Sequence, residues 1–388
     1  MIRRIAFVLL LCAALPALAA ESPATQSPAD ALPDAPLADV RAKAAHGDAA
    51  AQYELATRLA FGEDVTRDQA AAVSWYRKAA EQGHVKAQHA LGSMYSNGRG
   101  VRRDEAEAVK WWRLAAEQGY ASAQFFLGSD YKYGLGGLPA NPTESARWFR
   151  KAAEQGLAEA QSSLGDLYEQ GWGVPQDDAE AVAWYRKAAD QHEATAQTSL
   201  GTMYAAGRGV PKDEKEAARL YAEAADDGLN VAMTYLGDAY ADGSGVEKDL
   251  VCAAYWLSLA AQRGFTVAED GRDAAMAKLG AAEKADVARR LAATTVPDEG
   301  PVQRPFCPQE HVSVSVKDAA LVDVIAVFRQ VSGFPIVGLE KETRAVSIEV
   351  LDVSWQQALT ETLKQLGYGW TREGDVIRVS PLAAPRSG

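Results

Sequence analysis

Three sets of residues recur along this chain at a nearly constant interval, and that interval decides most of what the chain can fold into. Leu55, Leu91, Leu127, Leu164, Leu200 and Leu236 lie 36 or 37 residues apart. Trp75, Trp111, Trp148, Trp184, Leu220 and Trp256 keep the same spacing, as do Ala80, Ala116, Ala153, Ala189, Ala225 and Ala261. Three anchors in register over six units mean stacked supersecondary units, because one unit cannot bury its apolar face alone.

Each unit reads as two helices. In the second, Ala87, Leu91 and Tyr95 share a helical face, and Gly98-Arg99-Gly100-Val101 ends the helix with glycine suited to a left-handed cap. Asp104 caps the next helix, with Glu107 three residues on as a capping box, and Ala108, Trp111 and Ala115 mark its buried face. Asp177 with Glu180 and Asp213 with Glu216 repeat that cap, and Asn141 precedes Pro142 at a first helical position, followed by Glu144. Paired alanines such as Ala115-Ala116 let neighbouring helices approach closely, and the large aromatic residues fill the space between units.

Ala87, Leu91, Gly92, Tyr95, Gly98, Gly100, Val101, Asp104, Ala108, Trp111, Ala115, Ala116 and Gly119 together resemble the Sel-one-like repeat, a relative of the tetratricopeptide repeat. The resemblance covers roughly residues 48–264 and implies an α-solenoid that binds proteins or peptides. The first unit departs from it at Asp64, the third carries an extra residue with Gly136-Gly137-Leu138 in its loop, and the fourth has His192 in place of its final glycine. Residues 265–293 are Ala- and Leu-rich without the signature, as expected of a terminal cap, so the solenoid with its cap is placed at 39–293.

The N-terminus has the layout of a secretory signal peptide: Arg3 and Arg4, an apolar run from Ile5 to Leu15, Pro16, and the small-x-small pattern Ala17-Leu18-Ala19. Residues 1–19 are therefore expected to be removed and the mature chain to be periplasmic, with no transmembrane segment. Losing Arg3 and Arg4 takes the formal net charge from −12 to −14, which disfavours nucleic acid and anionic lipid as partners. Residues 20–38 and 294–310 are Pro-rich linkers.

Of the three cysteines, Cys12 lies in the leader, which leaves Cys252 and Cys307. An even pair in an oxidising compartment is a candidate disulfide. Cys252 stands where Glu107, Glu144, Glu180 and Glu216 stand in other units, a first-turn position expected to face solvent, where a cysteine has no packing role.

Past residue 310 the period changes from helical to alternating. Val312, Val314 and Val316 alternate with Ser313, Ser315 and Lys317, and Val346, Ile348 and Val350 alternate again. Helical runs around Leu321–Val331 and Ala358–Leu366, a short strand at Pro335–Val337 and a hairpin turning at Glu373-Gly374-Asp375 give the order β-α-β-β-α-β-β. That order, with Asp318-Ala319-Ala320-Leu321, Val353 to Leu359 and Gly374 to Val379, resembles the short N-terminal domain shared by secretins and TonB-dependent receptors. The resemblance covers 311–382, departs at Gly338 to Arg344, leaves 383–388 as a tail, and implies contact with partner proteins of the envelope. The expected fold is thus mainly α, a solenoid of helix-pair repeats followed by a small α/β domain.

No motif for catalysis, cofactor or metal survives inspection. His192-Glu193 lacks a second ligand because position 196 is Ala, and His46, His84, His89 and His311 are scattered. The Gly-x-Gly pairs at 98/100, 171/173, 207/209 and 243/245 follow helices and so read as repeat turns. Ser129-Asp130-Tyr131-Lys132 matches the Ser-x-x-Lys of penicillin-recognising enzymes, but its companion motifs are missing and it sits within a repeat helix. The expectation is a non-catalytic adaptor for protein partners at the envelope, in the setting of a secretin or outer-membrane receptor machine; a cell-wall or β-lactam-directed hydrolase and a regulatory signalling module are the alternatives.

Overall fold

The computed structural model describes residues 35–294, together with 311–321, 324–325, 328, 336–337, 345–366, 368–373 and 376–381. The chain divides after Gln176 into two compact units. The first holds α1 (Leu37–Ala45), α2 (Ala49–Phe61), α3 (Gln69–Glu81), α4 (Val85–Asn97), α5 (Glu105–Glu117), α6 (Ala121–Tyr133), α7 (Pro142–Glu154) and α8 (Ala158–Gln170). The second holds α9 (Asp178–Ala189), α10 (Ala194–Ala206), α11 (Glu214–Asp226), α12 (Asn230–Asp242), α13 (Leu250–Gln262), α14 (Val267–Lys278) and α15 (Ala281–Ala293). This is a mainly α solenoid of repeated helix pairs. Helix α1 begins inside the segment read as linker; Val40 and Ala44 are buried against α2 and cover the first pair.

The helix starts follow from their caps. Asp68, Asp104, Asn141, Asp177, Asp213 and Asp249 each accept a backbone N–H of the first turn. The expected capping box does not close, however. Glu107, Glu144 and Glu216 pair instead with Lys110, Arg147 and Arg219 three residues on. A cation within reach outcompetes the neutral cap amide for the carboxylate. The preceding helices end on glycine in the left-handed region: Gly98, Gly134, Gly171, Gly207 and Gly243. His192 takes the same conformation, φ 61°, where other units have glycine, and so does Asp64, φ 55°.

Of the expected anchors Trp148, Leu220 and Trp256 are buried, and in every repeat the residue one place on is buried as well. Trp75, Trp111 and Trp184 are only half-buried, whereas Tyr76, Trp112, Phe149, Tyr185, Tyr221 and Leu257 are buried. The reading of Trp111 as a buried-face residue is corrected accordingly. A small residue after the repeat leucine, glycine in all units but the first, where it is Ala56, makes room for the residue one place on. A Cβ on Gly92 would sit 2.6 Å from the Trp112 ring, and Gly128, Gly201 and Gly237 meet Phe149, Tyr221 and Leu257 in the same way. The missing Cβ makes the notch into which the next helix inserts its largest side chain.

In the C-terminal segment the strands are β1 (His311–Ala320), β2 (Ile336–Val337), β3 (Ala345–Ser354), β4 (Tyr368–Glu373) and β5 (Val376–Pro381), with α16 (Trp355–Lys364) between β3 and β4. β1 pairs antiparallel with β3, with two register shifts. β2 runs parallel to β5, and β4 pairs antiparallel with β5 as a hairpin. Leu321, Val324, Ile325, Phe328, Leu359, Leu363 and Val379 are buried there.

Candidate functional site

What the repeats present depends on what they use up internally. In the first turn of α2, α4, α6 and α8, a buried glutamine donates from Nε2 to a carbonyl eight residues earlier. The pairs are Gln52 to Ala44, Gln88 to Ala80, Gln124 to Ala116 and Gln161 to Ala153, all at 3.1 Å. The acceptors are carbonyls in the last turns of the previous helices, each of which also accepts the backbone N–H of the following glycine. Gln82, Gln118 and Gln155 then donate to the Oε1 of Gln52, Gln88 and Gln124 at 2.7 Å. The result is an amide relay from repeat to repeat. Sequence reasoning missed it, although the 36- or 37-residue spacing of Gln52, Gln88, Gln124 and Gln161 was available as a fourth periodic set.

The second glycine of each Gly-x-Gly pair has a different task from the first. A Cβ on Gly100 would overlap the Gln69 carbonyl, and Gly173, Gly209 and Gly245 stand likewise against Pro142, Asp178 and Glu214. Each loop therefore presses its backbone onto the start of a helix one repeat earlier. These pairs are repeat turns, as read from the sequence, and are also the tightest inter-repeat contacts.

On the outward-facing side, one arginine per repeat reaches the tyrosine of the next. Arg77 donates to the Tyr95 hydroxyl, Arg113 to Tyr131 at 3.3 Å, Arg150 to Tyr168 at 2.7 Å and, in the second unit, Arg186 to Tyr204 at 3.0 Å. Lys78, Lys151 and Lys187 lie 3.9, 4.3 and 3.7 Å from the ring centroids of Trp75, Trp148 and Trp184. The half-buried Trp75 and Trp184, and the buried Trp148, are thus platforms for lysine as well as packing residues.

The Ser-x-x-Lys tetrad does not assemble as a nucleophile. The Ser129 hydroxyl donates to the Phe125 carbonyl at 3.1 Å, and Lys132 lies over the Tyr133 and Trp172 rings. Between them Asp130 is buried, 3 % exposed, where other repeats carry Met94, Leu167, Met203 and Ala239. Its Oδ2 has no hydrogen-bond partner among the described residues. Burial, with the charge of Glu105 nearby, pushes its carboxyl up to about 7. Among the described residues no group of three or more His, Cys, Asp or Glu is placed to hold a metal ion, and no helix is long and apolar enough to cross a membrane.

Cys252 corrects another expectation. It is fully buried in the apolar cluster around α13, not solvent-facing. Its counterparts Glu107, Glu144, Glu180 and Glu216 are half-buried or exposed. The difference arises because α13 is packed by α14 and α15 as well as α12. The expected disulfide partner of Cys252, Cys307, lies outside the described residues.

A family profile described as Sel1 repeat matches residues 49–84, 85–120, 121–157, 158–192, 194–229 and 230–265. It ends there and lends no support to the secretin and receptor resemblance of residues 311–382. Among solved structures, the crystal structure of c5321, described as a protective antigen of uropathogenic Escherichia coli strains displaying an SLR fold, is 36 % identical with a TM-score of 0.59. The match covers 67 % of this chain and 56 % of that one, so the chain spans little more than half of that relative. A Sel1 repeat protein from Oxalobacter formigenes is 37 % identical with a TM-score of 0.53, over 56 % of this chain and 86 % of that one. No curated protein matches the chain at a significant level.

Proposed function

Because this chain belongs to the Sel1 repeat family, we propose that it is an exported, periplasmic scaffold that holds protein or peptide partners at the cell envelope without catalysing a reaction on them. The observation that carries the reading is the run of six Sel1 repeats between residues 49 and 265. Such stacks present extended surfaces built from the same position in successive units. Here glycine, alanine and glutamine are taken up by contacts between repeats, while arginine, lysine and aromatic residues recur on the surface. The leader Arg3 to Ala19 supports export. Full-length protein with an intact N-terminus, found only in the cytosol, would rule export out.

Residues 311–382 are assigned a separate docking role, in line with their resemblance to the secretin and receptor module. In the described three-stranded sheet, ordered β2-β5-β4, strand β4 stands at one end, and an end strand can receive a partner's strand. Cys252 is assigned a disulfide to Cys307, which would tie the linker to the last repeat. In the chain-entropy model a loop of that size stabilises by about 4 kcal/mol. A peptide map of unreduced protein should contain the Cys252–Cys307 cross-link, and two alkylatable thiols per mature chain would refute it.

The test of the scaffold reading is in-cell crosslinking with mass spectrometry on the full chain and on a chain lacking residues 311–388. Loss of specific partners with the repeats still folded supports two binding regions. A folded truncation that keeps every partner removes the docking role of the C-terminal segment, and a full chain that crosslinks to nothing specific removes the scaffold role itself. A nitrocefin and muropeptide assay on pure protein addresses hydrolysis directly, and turnover there would reverse the non-catalytic reading.

A further inference from the structure

We infer that Arg77, Arg113 and Arg150 form a receptor track for an acidic peptide, one carboxylate per repeat; this rests on the scaffold reading and specifies its ligand. All three arginines lie in the first unit, at successive spacings of 36 and 37 residues, and all three are half-buried.

Their local environment is unusual for cations on a chain with net charge −12. Each donates to a neutral hydroxyl, that of Tyr95, Tyr131 or Tyr168. Each has a glutamate four residues on in its own helix, Glu81, Glu117 or Glu154, an arrangement that commonly gives an ion pair. Among the described residues none of these ion pairs forms. Several other cations of the unit are paired with a carboxylate: Arg103 with Glu105, Lys110 with Glu107 and Arg147 with Glu144. The repeated position thus holds its positive charge in reserve.

The tyrosine does more than occupy one N–H. It fixes the plane of the guanidinium, and in two of the three pairs the Arg carbon also lies over the same ring, 5.9 Å from the Tyr95 centroid and 5.8 Å from that of Tyr168. A guanidinium with one N–H committed still has donors for a bidentate carboxylate. Its rotamers are restrained before the ligand arrives, which lowers the entropy lost on binding. The flanking Lys78 and Lys151 on their tryptophan rings add charge along the same helices.

The net charge of the chain selects among anions. A polyanion of high linear charge density, such as nucleic acid or polyphosphate, is repelled by the acidic molecule as a whole. A peptide with a few Glu or Asp residues among neutral ones meets the local positive charges while adding little to that repulsion, because repulsion between exposed charges is screened beyond about 10 Å.

The experiment uses the full mature chain and fluorescence anisotropy with a labelled peptide of repeated Glu-Gly-Ser units, against the same peptide with Gln for Glu. The Glu peptide is expected to bind, to weaken as salt is raised, and to lose at least about tenfold in affinity in the triple variant R77Q/R113Q/R150Q. The variant Y95F/Y131F/Y168F keeps the charge and removes the orienting hydroxyls; it should bind more weakly than wild type while remaining folded by circular dichroism. Equal binding of the two peptides, or an unchanged affinity in a folded triple arginine variant, overturns the proposal. So does tighter binding of inorganic polyphosphate than of the Glu peptide. Crosslinked partners that persist with the triple variant leave the scaffold reading standing while this track falls, so the two failures are distinguishable.

Discussion

The first unit and the end of the repeat array solve one packing problem by two different means. Between α1 and α8 the buried glutamine of each repeat links it to the helix before, and each such bond is a second donor to a helix-end carbonyl. In the second unit the relay fails. Gln197 donates to Glu223 at 3.1 Å instead, and its Oε1 is buried without a partner among the described residues. The position that supplies the donor in Gln118 and Gln155 is here Asp227, whose carboxylate has none. One repeat later the glutamine itself is Met233, fully buried. Over the same stretch the surface arginine gives way to Ala222 and the buried Ser258. Apolar burial takes over: every residue of α13 from Cys252 to Ala260 is buried, because α14 and α15 cover the face that other helices of its class leave to solvent. A repeat array therefore need not be held uniformly. Where the next repeat continues, polar relays fix the register, and where the array stops, hydrophobic closure replaces them.

The largest expected effect comes from breaking that closure. Trp256→Ala removes a fully buried ring and should cost about 4 kcal/mol, whereas Trp111→Ala, at the matching but half-buried position, should cost about 1 kcal/mol. Urea denaturation of both variants measures the gap, and equal losses would dissolve the distinction between the regions. Next are the loop glycines, which the two units share. Gly173→Ala and Gly209→Ala each drive a Cβ into a backbone carbonyl at positive φ and should cost about 3 kcal/mol alike. Gly119→Ala, also at positive φ but with nothing within 4 Å, should cost about 1 kcal/mol, so thermal melts separate strain from collision.

Asp130 gives the first unit a pH dependence. Its folded carboxyl titrates near 7, above its unfolded range, so the native state holds the proton more tightly. Its contribution to stability is then fully present below about pH 4 and is lost as pH rises to about 7, a loss on the order of 4 kcal/mol. D130N should remove that slope, and a variant with the wild-type slope would place its origin elsewhere. Asp238 of the second unit, pushed up to about 6 by burial and by Asp242, is the natural control. The smallest effect sharpens the comparison most. Gln88→Leu removes a second donor from the Ala80 carbonyl and one acceptor from the Gln118 amide and should cost about 1 kcal/mol, while Gln197→Met, which copies the next repeat, should be close to neutral.

The repeat architecture was legible because spacing alone carries it: Leu91 and Ala116 each recur five more times, and Trp111 four more times with Leu220 in the remaining place. What spacing does not carry is which of two adjacent large residues faces inward, so Trp111 was taken for Trp112. That choice is made by the notch at Gly92, a three-dimensional fact about the neighbouring helix. Exposure at Cys252 was misread for a related reason: the repeat pattern describes an interior unit, and the helices that bury Cys252 lie beyond the pattern. The Arg–Tyr pairs span 18 residues and join one repeat to the next, so no single-helix periodicity marks them. The glutamine relay was visible as a fourth spacing, but glutamine is read as surface until a helix-end carbonyl is placed beside it.

Hydrogen exchange followed by mass spectrometry on the intact mature chain tests most directly whether the two regions are held differently, since amide protection reports local opening. The account expects the amides of α13 to exchange slowest of all the repeat helices, with α5 and α7 clearly faster. Protection in α5 and α7 equal to or greater than that of α13 would contradict it.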